Sequence, residues 1–300
     1  MLPNKNLLTA LCLLLASAGL FTTSSCNIIN PTEPVPTYVH IDSFAMVHND
    51  SLAAGSEGSF SRKITAVYAY YNNTPVGVFN LPVTFPVIAD APGQIALFPA
   101  VDINGLSGVE LSYPFYAPDV FTLQPQPGAT ITHTAVTKYQ TGTNFPFNFN
   151  FDDVNSLKFT LYPNSGGTYN IALRSAEPAN VFEGDGSGHI HVANAGDTSV
   201  IISESIPVRA GVEAYMEFNF KGTVPAQIGL YSYNPTALIP EYTEYVIGIN
   251  PRATWGKFYI PIRPFIASHY GVFRILVRTQ SPSDQAGGDF YIDNVKVVTF

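Results

Sequence analysis

Charge, cysteine and helix-length windows are all scarce in this chain, and each shortage excludes something. Only 12% of its 300 residues are Asp, Glu, Lys or Arg, about half the roughly 25% of an average globular protein. Because 46% are hydrophobic, the chain is also too apolar for intrinsic disorder. With 14 Lys+Arg against 22 Asp+Glu there is no cationic surplus to neutralise phosphates, which excludes a nucleic-acid partner. The two cysteines, Cys12 and Cys26, build no disulfide framework, since Cys12 lies in an N-terminal apolar leader. Gly and Pro cut the sequence into short pieces, the longest without either being residues 37–54, so few windows hold an ordinary helix of ~11 residues. What the chain has instead is 24 Pro, 23 Gly, 21 Phe and 17 Tyr. Aromatic residues favour strands, and the composition predicts an all-β protein of one or two domains.

The start of the chain predicts an address and an anchor. Residues 1–6 are polar with one cation, Lys5, and residues 7–21 form an apolar run. That run is shorter than the ~20 residues of a stable membrane-crossing helix and suits a removable signal peptide. It leads into Thr22-Thr23-Ser24-Ser25-Cys26, which resembles the lipobox of bacterial lipoproteins, with Thr23 where that family usually has Leu. The resemblance implies that residues 1–25 are removed and that Cys26 is acylated, tying the protein to a membrane. The competing reading is ordinary cleavage near Ser25, which leaves a lone exposed thiol in an oxidising compartment. An Asp after the lipidated Cys resembles an inner-membrane retention signal. Here that place holds Asn27, so the outer membrane is implied. Surface-exported lipoproteins of Bacteroidota carry an acidic cluster after the cysteine, whereas residues 27–36 hold only Glu33, and the leaflet stays open. Residues 26–36 form a Pro-stiffened tether.

Two β units are expected beyond it. Residues 65–70 mix β-branched and aromatic side chains, Asn72-Asn73-Thr74-Pro75 supplies turn chemistry, and residues 76–79 return, which makes a hairpin. With further strands at residues 94–98, 120–123 and 130–138, residues 37–142 are predicted to form a small Ig-like or transthyretin-like sandwich. Residues 143–150, with Pro146 and an Asn/Phe alternation, are taken as the linker. Ten strand candidates follow within residues 151–300. In one of them Ala214, Met216, Phe218 and Phe220 share a face. This pattern predicts a jelly-roll sandwich.

The runs Pro36-Thr37-Tyr38-Val39-His40-Ile41-Asp42-Ser43 and Val76-Gly77-Val78-Phe79-Asn80-Leu81-Pro82, with Asn104-Gly105 before Tyr113-Pro114-Phe115-Tyr116, resemble a functionally uncharacterised family of Bacteroidota lipoproteins. The C-terminal half resembles the galactose-binding-like jelly rolls used as carbohydrate-binding modules. The matches are Val181-Phe182-Glu183-Gly184-Asp185-Gly186, residues 226–233, Trp255-Gly256-Lys257-Phe258-Tyr259 and the closing Asp289-Phe290-Tyr291-Ile292-Asp293-Asn294-Val295. This second resemblance implies a structural Trp255. It also implies a structural calcium held by Asp152 or Asp153, Glu183 or Asp185, and Asp293, hard oxygen ligands of the kind that ion takes.

Catalytic motifs are missing. There is no G-x-S-x-G, phosphate loop, H-E-x-x-H or paired-cysteine spacing. His189 and His191, two apart on a predicted strand, face one side and could share a metal, although two ligands alone do not close a zinc site. Tyr231, Tyr233, Tyr242 and Tyr245, with Asn234 and Glu241 nearby, form a candidate aromatic platform for a sugar. The sequence thus leads to a non-catalytic outer-membrane lipoprotein working by contact. It is either a protein-interaction or scaffold subunit of a larger assembly, or alternatively a glycan-binding lipoprotein of a polysaccharide-uptake system.

Overall fold

The computed structural model describes residues 33–162, 173–234, 236, 239–269 and 271–300. Its first unit consists of β1 (Thr37–Ile41), β2 (Phe44–Met46), β3 (Ile64–Tyr71), β4 (Thr74–Asn80), β5 (Val83–Val87), β6 (Gly93–Asp102), β7 (Glu110–Ser112), β8 (Asp119–Leu123), β9 (Thr130–Thr132) and β10 (Ala135–Thr137). The expected hairpin is β3–β4. Its two loop residues, Asn72 and Asn73, adopt φ of 47° and 64°, which matches the right-handed strand twist and which Asn tolerates. One sheet runs β4-β3-β6 with β7 and β8 beside β6, and a second runs β5-β1-β9. Val39, Ile41, Val67, Ala69, Phe85, Ile95 and Leu97 fill the space between them. The single strand expected at residues 130–138 is instead β9 and β10, broken at His133. There the backbone N–H bonds to His40 O and the ring sits 2.6 Å from Asp119 Oδ2.

The second unit contains β11 (Asn144–Phe149), β12 (Phe159–Leu161), β13 (Arg174–Ser175), β14 (Ser187–Val192), β15 (Thr198–Ser203), β16 (Ala214–Gly222), β17 (Ala226–Asn234), β18 (Ile239–Ile249), β19 (Arg252–Pro261), β20 (Val272–Gln280) and β21 (Gly288–Thr299), with a 3-10 turn at Pro178–Asn180 and a short helix, α1 (Arg263–Ser268). A six-stranded sheet, β13-β14-β21-β16-β19 with β11 also on β21, faces a five-stranded one, β12-β15-β20-β17-β18. The predicted inward row of β16, Ala214, Met216, Phe218 and Phe220, lies in the core between them, together with Ile190, Ile228, Leu230, Ile275, Val277 and Ile292.

Residues 143–150 are not a linker. Asn144–Phe149 is a strand whose Phe147 and Phe149 pair with Val297 and Val295 of β21 and are buried in the second unit's core. The Asn/Phe alternation is the period of a strand, and Pro146 falls at the register break between Asn144 and Phe147, where a missing N–H is tolerated.

The first unit covers one end of the outer face of the six-stranded sheet. Tyr113, Phe115, Tyr116 and Tyr139 pack against Tyr215, Tyr259 and Val298. At the rim, Asn104 N bonds to Tyr259 O at 3.0 Å. Gly105 follows at φ +65°, where a Cβ would stand 2.1 Å from Phe258 Cε1, so only glycine fits.

Polar groups are buried under this contact. Glu217 is fully enclosed. Tyr113 and Tyr139 donate their hydroxyls to its Oε1 at 2.7 and 2.9 Å. Lys257 Nζ lies 2.8 Å from Oε2, off the line of a well-formed hydrogen bond, so this pair is mainly Coulombic. Lys296 donates to Glu57 O and Ser59 O at 2.5 and 2.7 Å. Burial opposes ionisation of Glu217, but Lys257 and Lys296 outweigh it and hold the carboxyl below its ordinary range. Burial also pushes Lys296 down to about 8 against the pull of Glu217. Burial, reinforced by the Glu217 charge, drives the Tyr113, Tyr116 and Tyr139 hydroxyls up.

Candidate functional site

Cross-strand partners share a face of a sheet, and register therefore decides which of the expected platform tyrosines can act together. On the five-stranded sheet, Ile228 and Leu230 point into the core. Gly229, Tyr231 and Tyr233 therefore point out. Tyr245 is opposite Gly229, Thr243 opposite Tyr231, and Arg274 and Arg278 stand across from Tyr231 and Gln227 on β20. Tyr231, Tyr233 and Tyr245 thus share the outer face. Tyr242 does not. It pairs with Ser232 on the other side and stacks on His269 and Phe265 at the end of the sandwich.

Within the outer face the tyrosines differ in exposure. Tyr231 is buried in a small cluster with Val200, Ile202 and Leu276, and Tyr162 packs against it. Tyr233 and Tyr245 are 38% and 36% exposed. Burial raises the Tyr245 hydroxyl while Arg278 pulls it back, and the guanidinium carbon sits 5.9 Å from the ring centroid. Arg278 also donates to Gln227 Oε1 at 3.2 Å and Gln280 Oε1 at 3.4 Å. Beside this group lies an open depression of about 440 Å³ walled by Pro225, Gln227, Gly248, Asn250, Arg278 and Gln280. That volume falls in the roughly 300–1,000 Å³ range of small-ligand sites. Gln227, Asn250, Arg278 and Gln280 carry no motif. Only the pairing of β17, β18 and β20, residues far apart in sequence, brings them together.

The residues expected to hold calcium sit near one another but are satisfied by protein groups. Asp293 is buried and accepts from Ser187 Oγ at 2.7 Å and Asn294 N at 2.7 Å. Burial pushes its carboxyl up to about 7, against those hydrogen bonds. Asp152 accepts from the N–H groups of Asp185 and Gly186, and Glu183 from Ser59 Oγ and Asn294 Nδ2. Asp153 only turns its own loop, accepting from Asn155 N. Three backbone carbonyls beside them, Phe151 O, Asp152 O and Asp185 O, are claimed by Arg174 at 2.6, 3.3 and 2.6 Å. Arg174 thus ties together the backbone next to these carboxylates.

Trp255, implied by the resemblance to be structural, is half-buried on the outer face of the six-stranded sheet. Its ring meets Phe182 edge-on at 5.3 Å, and Lys221 lies 5.5 Å from its centroid. Cys26 lies outside the described residues.

Near Trp255, at the end of this face that the first unit leaves open, His189 and His191 converge on Asp289, which sits directly across from His191 on β21. His189 Nε2 and His191 Nδ1 lie 2.7 and 2.8 Å from the same oxygen, Asp289 Oδ1. The three ligand atoms are within 4.8 Å of one another, a group that could hold a metal ion. Burial works against ionisation of Asp289, yet the two histidine hydrogen bonds hold its carboxyl below the ordinary value. The histidine pair was legible from its spacing, whereas the carboxylate about 100 residues away was not.

No family model matches the chain, and no curated protein does. Solved structures to which it is similar include one of carbohydrate-binding modules from the β-sandwich superfamily described as promiscuous in specificity. It has 14% identity and a TM-score of 0.37, covering 77% of this chain and 84% of that one. Two modules from cellulosomal cellulases of Clostridium thermocellum are similar at 12% identity and a TM-score of 0.35. The family 11 module covers 50% of this chain and 94% of its own. The family 30 module covers 50% and 96%. Overlaps of this extent assign no ligand.

Proposed function

We propose that this protein is a non-catalytic glycan-binding lipoprotein, held at the outer membrane by an acyl group on Cys26, whose C-terminal jelly roll reads sugars with the outer face of its five-stranded sheet. The observation that carries the reading is a depression walled by Arg278, Gln227 and Gln280, with the Tyr245 ring beside it against the Arg278 guanidinium. A pyranose offers an apolar C–H face and pairs of adjacent hydroxyls. An exposed tyrosine ring matches the first, while planar guanidinium and amide groups, which donate or accept in pairs, match the second. The lipobox-like run before Cys26 supports the anchor, and the Ig-like first unit then serves as a rigid spacer between tether and sugar site.

The test is a glycan array probed with the mature protein, followed by calorimetry on the hits. Tyr245→Ala and Arg278→Ala, both changes at the surface, should weaken binding by about tenfold or more, the scale of a lost stacking or charged hydrogen-bond contact. An array with no hits, or variants that bind as the parent does, overturns the reading. Metabolic labelling with a palmitate analogue tests the anchor separately, and Cys26→Ser should abolish the label.

A protein partner is the second reading, favoured by an apolar depression of about 510 Å³ on the first unit, lined by Pro36, Tyr38, Tyr71, Pro75, Pro86 and Ile88. Gentle pull-down from native membranes tests it. Stable co-purification of an outer-membrane protein, lost on Ile88→Asp, would support it.

A further inference from the structure

Both ends of the six-stranded sheet's outer face are polar, but only one has its charges matched by burial against the first unit. At the other end two imidazoles and a carboxylate meet with side-chain exposures of 17%, 39% and 33%. Their placement is built rather than incidental. His189 and His191 are alternate residues of β14, so their side chains leave the same face. Asp289 comes from the neighbouring strand at the register position of His191. The His189 ring is fixed by stacking on Tyr291, 4.5 Å away and inclined by 11°. Lys221, on the far side of Tyr291, is turned away and tied to Ala179 O and Asn180 Oδ1. Among the described residues no cation therefore completes the cluster, and the chain's net charge of -8 favours one.

We propose that His189 Nε2, His191 Nδ1 and Asp289 Oδ1 hold a divalent first-row transition metal ion, Zn2+ or Cu2+ in class, on this open surface. Two imidazole nitrogens exclude calcium and magnesium, which take oxygen ligands, and suit zinc, copper or nickel. Three protein ligands with a solvent-facing fourth position make an open site that takes water or an external donor. To ligate, each of the two nitrogens now bonded to Asp289 gives up its proton, and each ring keeps its N–H on the nitrogen remote from the ion. The two hydrogen-bonded separations, 2.7 and 2.8 Å, need to open to about 3.3 Å, the spacing of tetrahedral ligands about 2.0 Å from zinc. The half-exposed His191 has room for that shift. The site lies on the opposite sheet from the proposed sugar face and stands without it.

The experiment titrates Zn2+, and separately Cu2+, into the mature untagged protein after treatment with EDTA, read by calorimetry and by thermal melting. One equivalent should bind and raise Tm. His191→Ala and Asp289→Asn should weaken binding by about tenfold or more while melting like the parent without metal. Absence of binding for both ions, or unchanged affinity in both variants, overturns the site. Should a variant fail to fold, acylation of the parent by diethyl pyrocarbonate decides instead. Protection of His189 and His191 by Zn2+, read by peptide mass spectrometry, supports the site, and equal modification with and without metal refutes it.

Discussion

Glu217→Gln is the sharpest test of how the two units are joined. The change keeps the volume and one acceptor for Tyr113 or Tyr139, but it removes the carboxylate that acts most strongly on both Lys257 and Lys296 under the interface. Both lysines are enclosed, at 4% and 0% exposure, so neither can turn to water. Removing one partner of a buried ion pair costs about 3–5 kcal/mol, because the remaining charge is stranded. At about 2–4 °C per kcal/mol for a chain of this size, the melting temperature should fall by roughly 6–20 °C. Differential scanning calorimetry at neutral pH measures it. Adding Lys257→Met to the variant removes one stranded charge and should recover part of the loss. The pH dependence has a definite sign. The Glu217 carboxyl is held below its unfolded value, so its contribution is present above that value and is lost as pH falls through the folded one. The variant should therefore lack this part of the acid sensitivity. A drop smaller than about 2 °C, with the acid limb of the profile unchanged, would refute the account of the interface.

Three further outcomes follow from single sites. Arg174→Ala removes a guanidinium bonded to three carbonyls. It should cost about 2–3 kcal/mol in urea unfolding, while a calcium chelator leaves the parent's Tm unchanged. The Asp293 carboxyl is raised to about 7 by burial, so its contribution is fully present below pH ~4 and is lost as pH rises through 7, on the order of 4 kcal/mol. Asp293→Asn should flatten that span in a series of denaturation curves. Gly105→Ala drives a methyl into Phe258 at a positive φ and should cost about 1–3 kcal/mol in the same assay.

Sequence patterns revealed elements, and pairing decided the rest. The β3–β4 hairpin was readable from Asn72-Asn73, and the inward row of β16 from its period of two. The opposite row, Tyr215, Glu217 and Asn219, reads as a wet face in that same pattern but is buried, because a unit more than 70 residues away in sequence lies over it. The Phe-rich stretch at residues 144–149 resembled a connection because its partner strand is the last one in order. Tyr242 and Tyr245 are three apart on one strand, and strand parity alone places them on opposite faces. That signal was present and outweighed by the appearance of a tyrosine cluster. Arg278, Gln227 and Asp289 became candidates only through long-range register, which no local pattern carries.

The position of β21 bears on how the molecule comes into being. This strand follows every other described one in chain order, yet it lies in the middle of the six-stranded sheet, bonded to β11, β14 and β16. Without it the sheet falls into three pieces, β11, β13-β14 and β16-β19, whose facing edges have no partner. A chain that has not yet placed β21 therefore leaves its second unit open. Pairing of this kind, between strands far apart in sequence, is slow to form, and the cohesion of the sheet depends on one hydrophobic strand.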